Sequence, residues 1–209
     1  MFVITADQIG SRNAPDIVGS TIDELTAAYG PTLELSPDRT AGDELQILTR
    51  DPRTTLALVL HLTRTAKWNV GVGIGSVRRP LPTVTREATG DAFYAAREAV
   101  TRAKRSTTRF AMGAMPSGER RPEPDATDAE ALVSLLISLR DRRTDAGWAL
   151  FDLLADGMTQ GEAAERLGIT PGAASLRART AGIRTEHAAS DALVRLLSVV
   201  DAATEGEER

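Results

Sequence analysis

Thr159-Gln160-Gly161-Glu162-Ala163-Ala164-Glu165-Arg166-Leu167-Gly168-Ile169-Thr170-Pro171-Gly172-Ala173-Ala174-Ser175 is the stretch whose reading decides how the C-terminal part of this chain folds. Thr159 can cap a helix start, and Glu162, three residues on, completes a capping box. Ala163 and Ala164 are small enough for two helices to cross closely. Leu167 closes the first helix, and Gly168 tolerates the left-handed backbone that ends it. Ile169 anchors the turn, and Thr170 with Pro171 restarts the chain as a second capped helix. The pattern predicts helices over 159–167 and 171–181, crossed at a tight turn. Such a pair leaves the far face of its second helix free for a DNA major groove. Pro171, Gly172, Ser175 and Arg179 are expected toward one side of that helix, with Arg177 at its edge. Arginine suits phosphate and guanine contacts and Ser175 suits phosphate or base, which makes these five the candidate DNA-binding residues. The plainer alternative is a helical hairpin that only packs against the rest of the chain.

Helical patterning extends to both sides of this pair. Residues 128–142 and 145–156 are amphipathic, 187–203 predicts a last helix, and the acidic end of the chain (204–209) reads as a disordered tail. Upstream, Met115–Asp125 concentrates Pro, Gly and charge and is the best domain boundary. The expected organisation is therefore an α/β domain over 1–114, a linker over 115–127, and a helical domain over 128–203 that carries the helix-turn-helix at 159–181.

The N-terminal part alternates strand and helix signals. Phe2–Ala6 is a short apolar run opening onto Asp7-Gln8-Ile9-Gly10-Ser11, a buried strand ending in a turn. Residues 20–29 predict a helix. Pro31–Ser36 and Glu44–Thr49 predict a hairpin whose turn-rich connection ends in Gly42-Asp43. Residues 52–67 start with Pro and predict a helix. Lys67–Val77 alternates Val70, Val72 and Ile74 with Gly71, Gly73 and Gly75, a strand whose bare side lets a helix or a phosphate approach closely, the helix being the expected occupant. Residues 90–104 predict a further helix and Thr107–Ala114 a final strand. Trp68 and Trp148 are expected in cores, His61 half-buried on its helix, and His187 solvated.

The composition narrows the function classes. The chain has 209 residues, net charge −4, 42% hydrophobic residues and no cysteine. Disulfides, thiolate metal sites and a cysteine nucleophile are excluded, and a reducing cytoplasm is the expected location. No apolar run reaches the roughly 20 residues that span a bilayer, and MFVITADQIGS lacks the basic region of a signal peptide. A generally basic coat for nucleic acid is excluded by the acidic balance, whereas a local binding face is not. Between Leu167 and Thr185 stand Arg177, Arg179 and Arg184 with no carboxylate.

Three N-terminal elements carry a family resemblance: the strand ending in Asp7 with Ile9-Gly10-Ser11, the hairpin carrying Gly42-Asp43-Glu44-Leu45-Gln46, and the Gly71–Gly75 strand followed by Gly90-Asp91-Ala92-Phe93-Tyr94. With the helix-turn-helix behind them they resemble the SatD-like family over nearly the whole chain. More distantly, the three elements are similar to the palm domains of class III nucleotidyl cyclases and GGDEF-type diguanylate cyclases, which implies a ferredoxin-like βαββαβ core. The C-terminal pair is similar to sigma-factor region 4. The fold these resemblances imply is α+β: a palm-like N-terminal domain followed by an all-α helix-turn-helix domain.

In the cyclase-like families a carboxylate after the first strand and one at the hairpin hold divalent metals, and these positions match Asp7 and Asp43. Mg²⁺ takes oxygen ligands from one or two carboxylates plus substrate phosphates, and backbone N–H groups of a small-residue turn suit phosphates. Gln8, Ile9, Gly10, Ser11 and Gly42 are therefore the candidate nucleotide-binding residues, and Mg the expected cofactor. Glu44 is either a third ligand or an outward-pointing strand residue. Counting from Gly90, the cyclases' Asn and Arg on the following helix fall here on Tyr94 and Glu98, and Arg97 would serve only with a one-residue shift. The expectation is thus a DNA-binding, dimeric regulator that senses a nucleotide or phosphorylated small molecule. The alternative is a Mg-dependent nucleotidyl cyclase or nucleotidyltransferase using Asp7 and Asp43.

Overall fold

The computed structural model of the chain describes residues 1–40, 42–115 and 123–204. It is α+β: a five-stranded mixed sheet and, among the described residues, eight α-helices. No helix among them is long and apolar enough to cross a membrane. Part of the expected linker (116–122) and most of the expected tail (205–209) lie outside the described residues.

The chain divides into two compact units, Met1–Ser134 with Leu193–Arg209, and Leu135–Ala192. In the first, β1 (Phe2–Gln8), α1 (Val18–Tyr29), β2 (Leu35–Arg39), β3 (Glu44–Thr49), α2 (Pro52–Arg64), β4 (Trp68–Ile74), α3 (Asp91–Ala103) and β5 (Phe110–Ala114) follow one another. The sheet order is β2-β3-β1-β4-β5. β1 sits at its centre, antiparallel to β3 and β4, and is buried along almost its whole length, which is why Phe2–Ala6 is uniformly apolar but for Thr5. β5 returns parallel to β4 after α3.

The glycine face of β4 has a mechanical cause. A Cβ on Gly71 would lie 2.2 Å from the Val100 amide nitrogen, and one on Gly73 would lie 2.0 Å from the Ala92 carbonyl oxygen. The α3 backbone rests directly on the strand, and α3 is correspondingly alanine-rich, burying Ala92, Ala95, Ala96, Ala99 and Ala103. The bare side of the strand receives a helix, as expected. Val3 and Leu48, paired across β1 and β3, join Ala92, Phe93 and Ala96 in the core under α3. Phe2, Ile4, Leu45 and Ile47 alternate with them, fully buried, on the opposite face against α1 and α2.

The segment around β2 differs from the sequence expectation. Residues 30–32 form a 3₁₀ turn with Pro31 in its first positions, and β2 runs Leu35–Arg39 instead of beginning at Pro31. Pro37 stands inside this strand because β2 is at the sheet edge and its register shifts between Leu35 and Asp38, where a missing N–H is tolerated. The other edge, β5, is covered: Glu130 accepts from the Met112 amide at 2.7 Å, and the Arg102 guanidinium donates to the Met112 carbonyl. These side chains satisfy the outward N–H and C=O of Met112 on that edge.

α4 (Ala126–Asp141) begins earlier than expected, as does α8 (Ile183–Thr204), and the division between the units falls inside both. The second unit holds α5 (Asp145–Ala155), α6 (Gln160–Arg166) and α7 (Pro171–Thr180) around Leu150, Ala163, Ala178, Ala181 and Ile183, with Phe151, Leu153, Leu154, Met158 and Leu167 packed against them.

Candidate nucleic-acid interface and the end of the central strand

The α6–α7 turn is built as its residues require. The Thr159 hydroxyl accepts from the Glu162 amide at 3.3 Å while the Glu162 carboxylate accepts from the Thr159 amide at 2.7 Å, a complete capping box. Those bonds, the backbone N–H first and then the hydroxyl, hold the Glu162 carboxyl below its ordinary value. Gly168 has φ +64°, the left-handed conformation that ends α6, and its amide and that of Ile169 close the turn onto Glu165 and Ala164. Thr170 caps α7 by accepting from the Ala173 amide at 3.2 Å, and Pro171 occupies the first turn, where no N–H is needed.

α7 buries Ala174 and Ala178 and leaves Pro171, Gly172, Ala173, Ser175, Leu176, Arg179 and Thr180 exposed. Of the five residues singled out on this helix, four lie on exposed positions. Arg177 is half-buried, on the flank. Leu176, which is not among the five, is 52% exposed. The signal that finds it is the helical wheel: at about 100° per residue, Leu176 stands opposite the midpoint of Ala174 and Ala178.

The last turn of α7 is held by a buried charge cluster. Arg140 and Arg143 share the Glu186 carboxylate, Arg143 at 2.5 Å, and Arg143 Nε also donates to the Ala181 carbonyl at 3.0 Å. All three charged residues are less than a tenth exposed. The two guanidinium groups lie 4.7 and 4.4 Å from the Trp148 ring and 5.4 and 4.6 Å from Phe151. Trp148 is therefore half-buried beneath arginine and not the core residue expected.

The other candidate lies at the C-terminal end of β1. Asp7 stands opposite Glu44 and Asn69 across the sheet. Its two carboxylate oxygens are both engaged, one by the Lys104 ammonium at 2.8 Å and the other by Asn69 Nδ2 at 3.3 Å. Asp43 accepts the Ser11 hydroxyl, and Glu44 accepts the Thr40 hydroxyl at 2.7 Å. Gln8 points to the other face, where its amide bonds the Pro15 carbonyl and the Ile17 N–H, ordering the loop that follows. The Ile9 amide is spent on the Lys67 carbonyl. Gly10 and Gly42 both have positive φ, 69° and 60°.

A cavity of about 430 Å³ opens here, lined by Ser11, Arg12, Asp16, Arg39, Gly42 and Asp43 together with Gln8. Arg39 grips Asp16 through both carboxylate oxygens, at 2.5 Å each, and this bond holds the Asp16 carboxyl below its ordinary value. No group of three or more His, Cys, Asp or Glu side chains among the described residues could hold a metal ion. The Lys104 ammonium is the cation on Asp7, and the Ser11 hydroxyl is the partner of Asp43.

His61 is half-buried, 3.2 Å from Glu24 and edge-on to Tyr29, and His187 is exposed, both as expected. No family model, curated protein or solved structure matches the chain.

Proposed function

We propose that this chain is a DNA-binding regulator whose Leu135–Ala192 unit is a helix-turn-helix module. The observation that carries the reading is α7 itself. Its exposed face lies within a segment, Leu167–Thr185, that holds three arginines and no carboxylate in a chain of net charge −4. A capped, short α6, a left-handed Gly168 and a shared core that includes Ala163 of α6 and Ala178 of α7 support this reading. Two such modules in a homodimer would read half-sites about one helical turn apart.

The first unit is read as a ferredoxin-like, palm-like domain, in line with the SatD-like resemblance. The βαββαβ succession with antiparallel order β2-β3-β1-β4 supports this. A nucleotide or phosphorylated small molecule would enter the cavity beside Ser11, Gly42 and Arg12, and its binding would tune DNA affinity. The enzymatic alternative, a Mg-dependent cyclase or nucleotidyltransferase on Asp7 and Asp43, is weakened by the Lys104 contact, since the ammonium would have to leave before an ion could bind.

The test is an electrophoretic shift of random-sequence duplexes over a salt series, comparing wild type with the Arg177→Ala/Arg179→Ala double variant. Removing the two guanidinium groups weakens binding and flattens the salt dependence, by about one unit of slope for each phosphate that is no longer neutralised. Identical salt slopes for the two proteins would remove the module from α7.

A further inference from the structure

The exposed strip of α7 is unusual for what it lacks. From its N-terminal end, the residues that point away from Ala174 and Ala178 are Gly172, Ala173, Leu176 and, a turn later, Arg179 and Thr180. The part that enters a groove first, Pro171 to Leu176, carries no base-edge hydrogen-bonding side chain except Ser175, which sits off the centre of the strip. A Cβ built on Gly172 meets nothing within 4 Å, so the unit itself gives no packing reason for that glycine. Leu176 takes no part in the core formed by Leu150, Ala163, Ala178, Ala181 and Ile183.

In a DNA major groove every base-edge feature is a hydrogen-bond donor or acceptor except one, the thymine 5-methyl group. The N-terminal part of the strip, Leu176 with Gly172 and Ala173 beside it to permit close approach, is apolar and has only that feature to match. Arg179, about one turn further along the same strip, supplies charge complementarity to the duplex.

We infer that Leu176 reads thymine: α7 selects sites by apolar contact between Leu176 and a thymine methyl, with Arg179 anchoring the helix on phosphate or guanine. This rests on the helix-turn-helix reading above and names the base chemistry that reading leaves open. A single exposed leucine on a protein surface needs no explanation of its own. It is the position of this one, beside Gly172 and Ala173 on the N-terminal part of the strip where no hydrogen-bonding side chain stands, in a carboxylate-free segment, that assigns it a partner.

The experiment uses the full chain and duplexes enriched from a random pool by repeated binding. In the enriched sequence each thymine is replaced in turn by uracil, which removes the methyl group and nothing else. For wild type, replacement at one or two positions should weaken binding about fourfold per methyl, the ratio that corresponds to the ~0.8 kcal/mol of one buried CH₂. For Leu176→Ala the same replacements should change nothing, and circular dichroism should show the exposed substitution leaving the fold intact. Duplex binding that is equal for thymine and uracil at every position overturns the inference while the DNA-binding reading stands. A thymine preference retained by Leu176→Ala overturns it too, by placing the contact on another residue. No duplex binding at about 50 mM salt, where phosphate contacts are strong, overturns both.

Discussion

Replacing Glu186 by alanine should unfold the second unit selectively. Glu186 is 4% exposed, and its carboxylate is the anion shared by Arg140 and Arg143, themselves 6% and 7% exposed. Without it two guanidinium groups stay buried against Trp148 and Phe151, with ring faces and the Ala181 carbonyl among the partners that remain. Breaking a buried pair by removing one member costs about 3–5 kcal/mol. A unit of roughly 60 residues has a total stability of about 3–9 kcal/mol. The loss is therefore comparable to the whole.

The two tryptophans make this measurable, since Trp68 lies in the first unit and Trp148 in the second. In a Trp68→Phe background, Trp148 fluorescence in urea reports the second unit alone. With a slope near 1 kcal/mol per molar for so small a unit, Glu186→Ala should move the midpoint by about 3 M or abolish the transition. Replacing all three charged residues by Arg140→Met, Arg143→Met and Glu186→Leu should recover most of the stability, because apolar packing avoids the desolvation of the ions. A Glu186→Ala midpoint shift below about 1 M, or a triple variant weaker than Glu186→Ala, would refute the argument.

Three further outcomes concern the first unit. Gly73→Ala should destabilise it by about 3 kcal/mol, at the upper end of overpacking costs, because the new methyl meets the backbone carbonyl of Ala92; Trp68 fluorescence in a Trp148→Phe background reads this. Asp51 caps α2 through the Arg53 and Thr54 amides. Burial pushes its carboxyl up, but the Thr54 hydroxyl and amide and the Arg53 amide together hold it below its ordinary value. Its contribution is therefore present above the unfolded carboxylate range and lost as the pH falls through the lowered folded value. Asp51→Ala should cost about 1 kcal/mol near neutral pH, and the difference from wild type should shrink below about pH 3, under the ordinary Asp value. Incubation with Mg²⁺ or Mn²⁺ and each nucleoside triphosphate should release no pyrophosphate; release that disappears in Asp43→Ala would overturn the lysine-neutralised reading of this site and establish the enzymatic one.

What the sequence reveals is what local chemistry controls. The capping box at Thr159 and Glu162, the left-handed Gly168 and the Thr170–Pro171 restart are contained within a few residues, and each forms as its residue types dictate. The glycine strand is legible for the same reason, since a bare face repeated three times leaves room for a helix backbone. The rest depends on residues far apart in the chain. Lys104 reaches Asp7 across 97 positions, and Glu186 meets Arg140 across 46, with no periodicity to announce either pair. The bounds of β2 are not legible locally, because Pro37 reads as a turn until its edge position is known. The outward side of α7 follows from the docking of Ala174 and Ala178, which puts Leu176 at the centre of the strip and Ser175 off it.

The central claim is that the exposed side of α7 is covered when duplex DNA binds. The chain has no cysteine, so a single thiol can be placed at will. Ala173→Cys on α7 and Asp23→Cys on α1 are both at exposed positions and should react with a maleimide at similar rates in the free protein. With saturating duplex at low salt, the thiol at position 173 should be slowed at least tenfold while that at position 23 keeps its rate. Equal rates at position 173 with and without bound duplex would contradict the account.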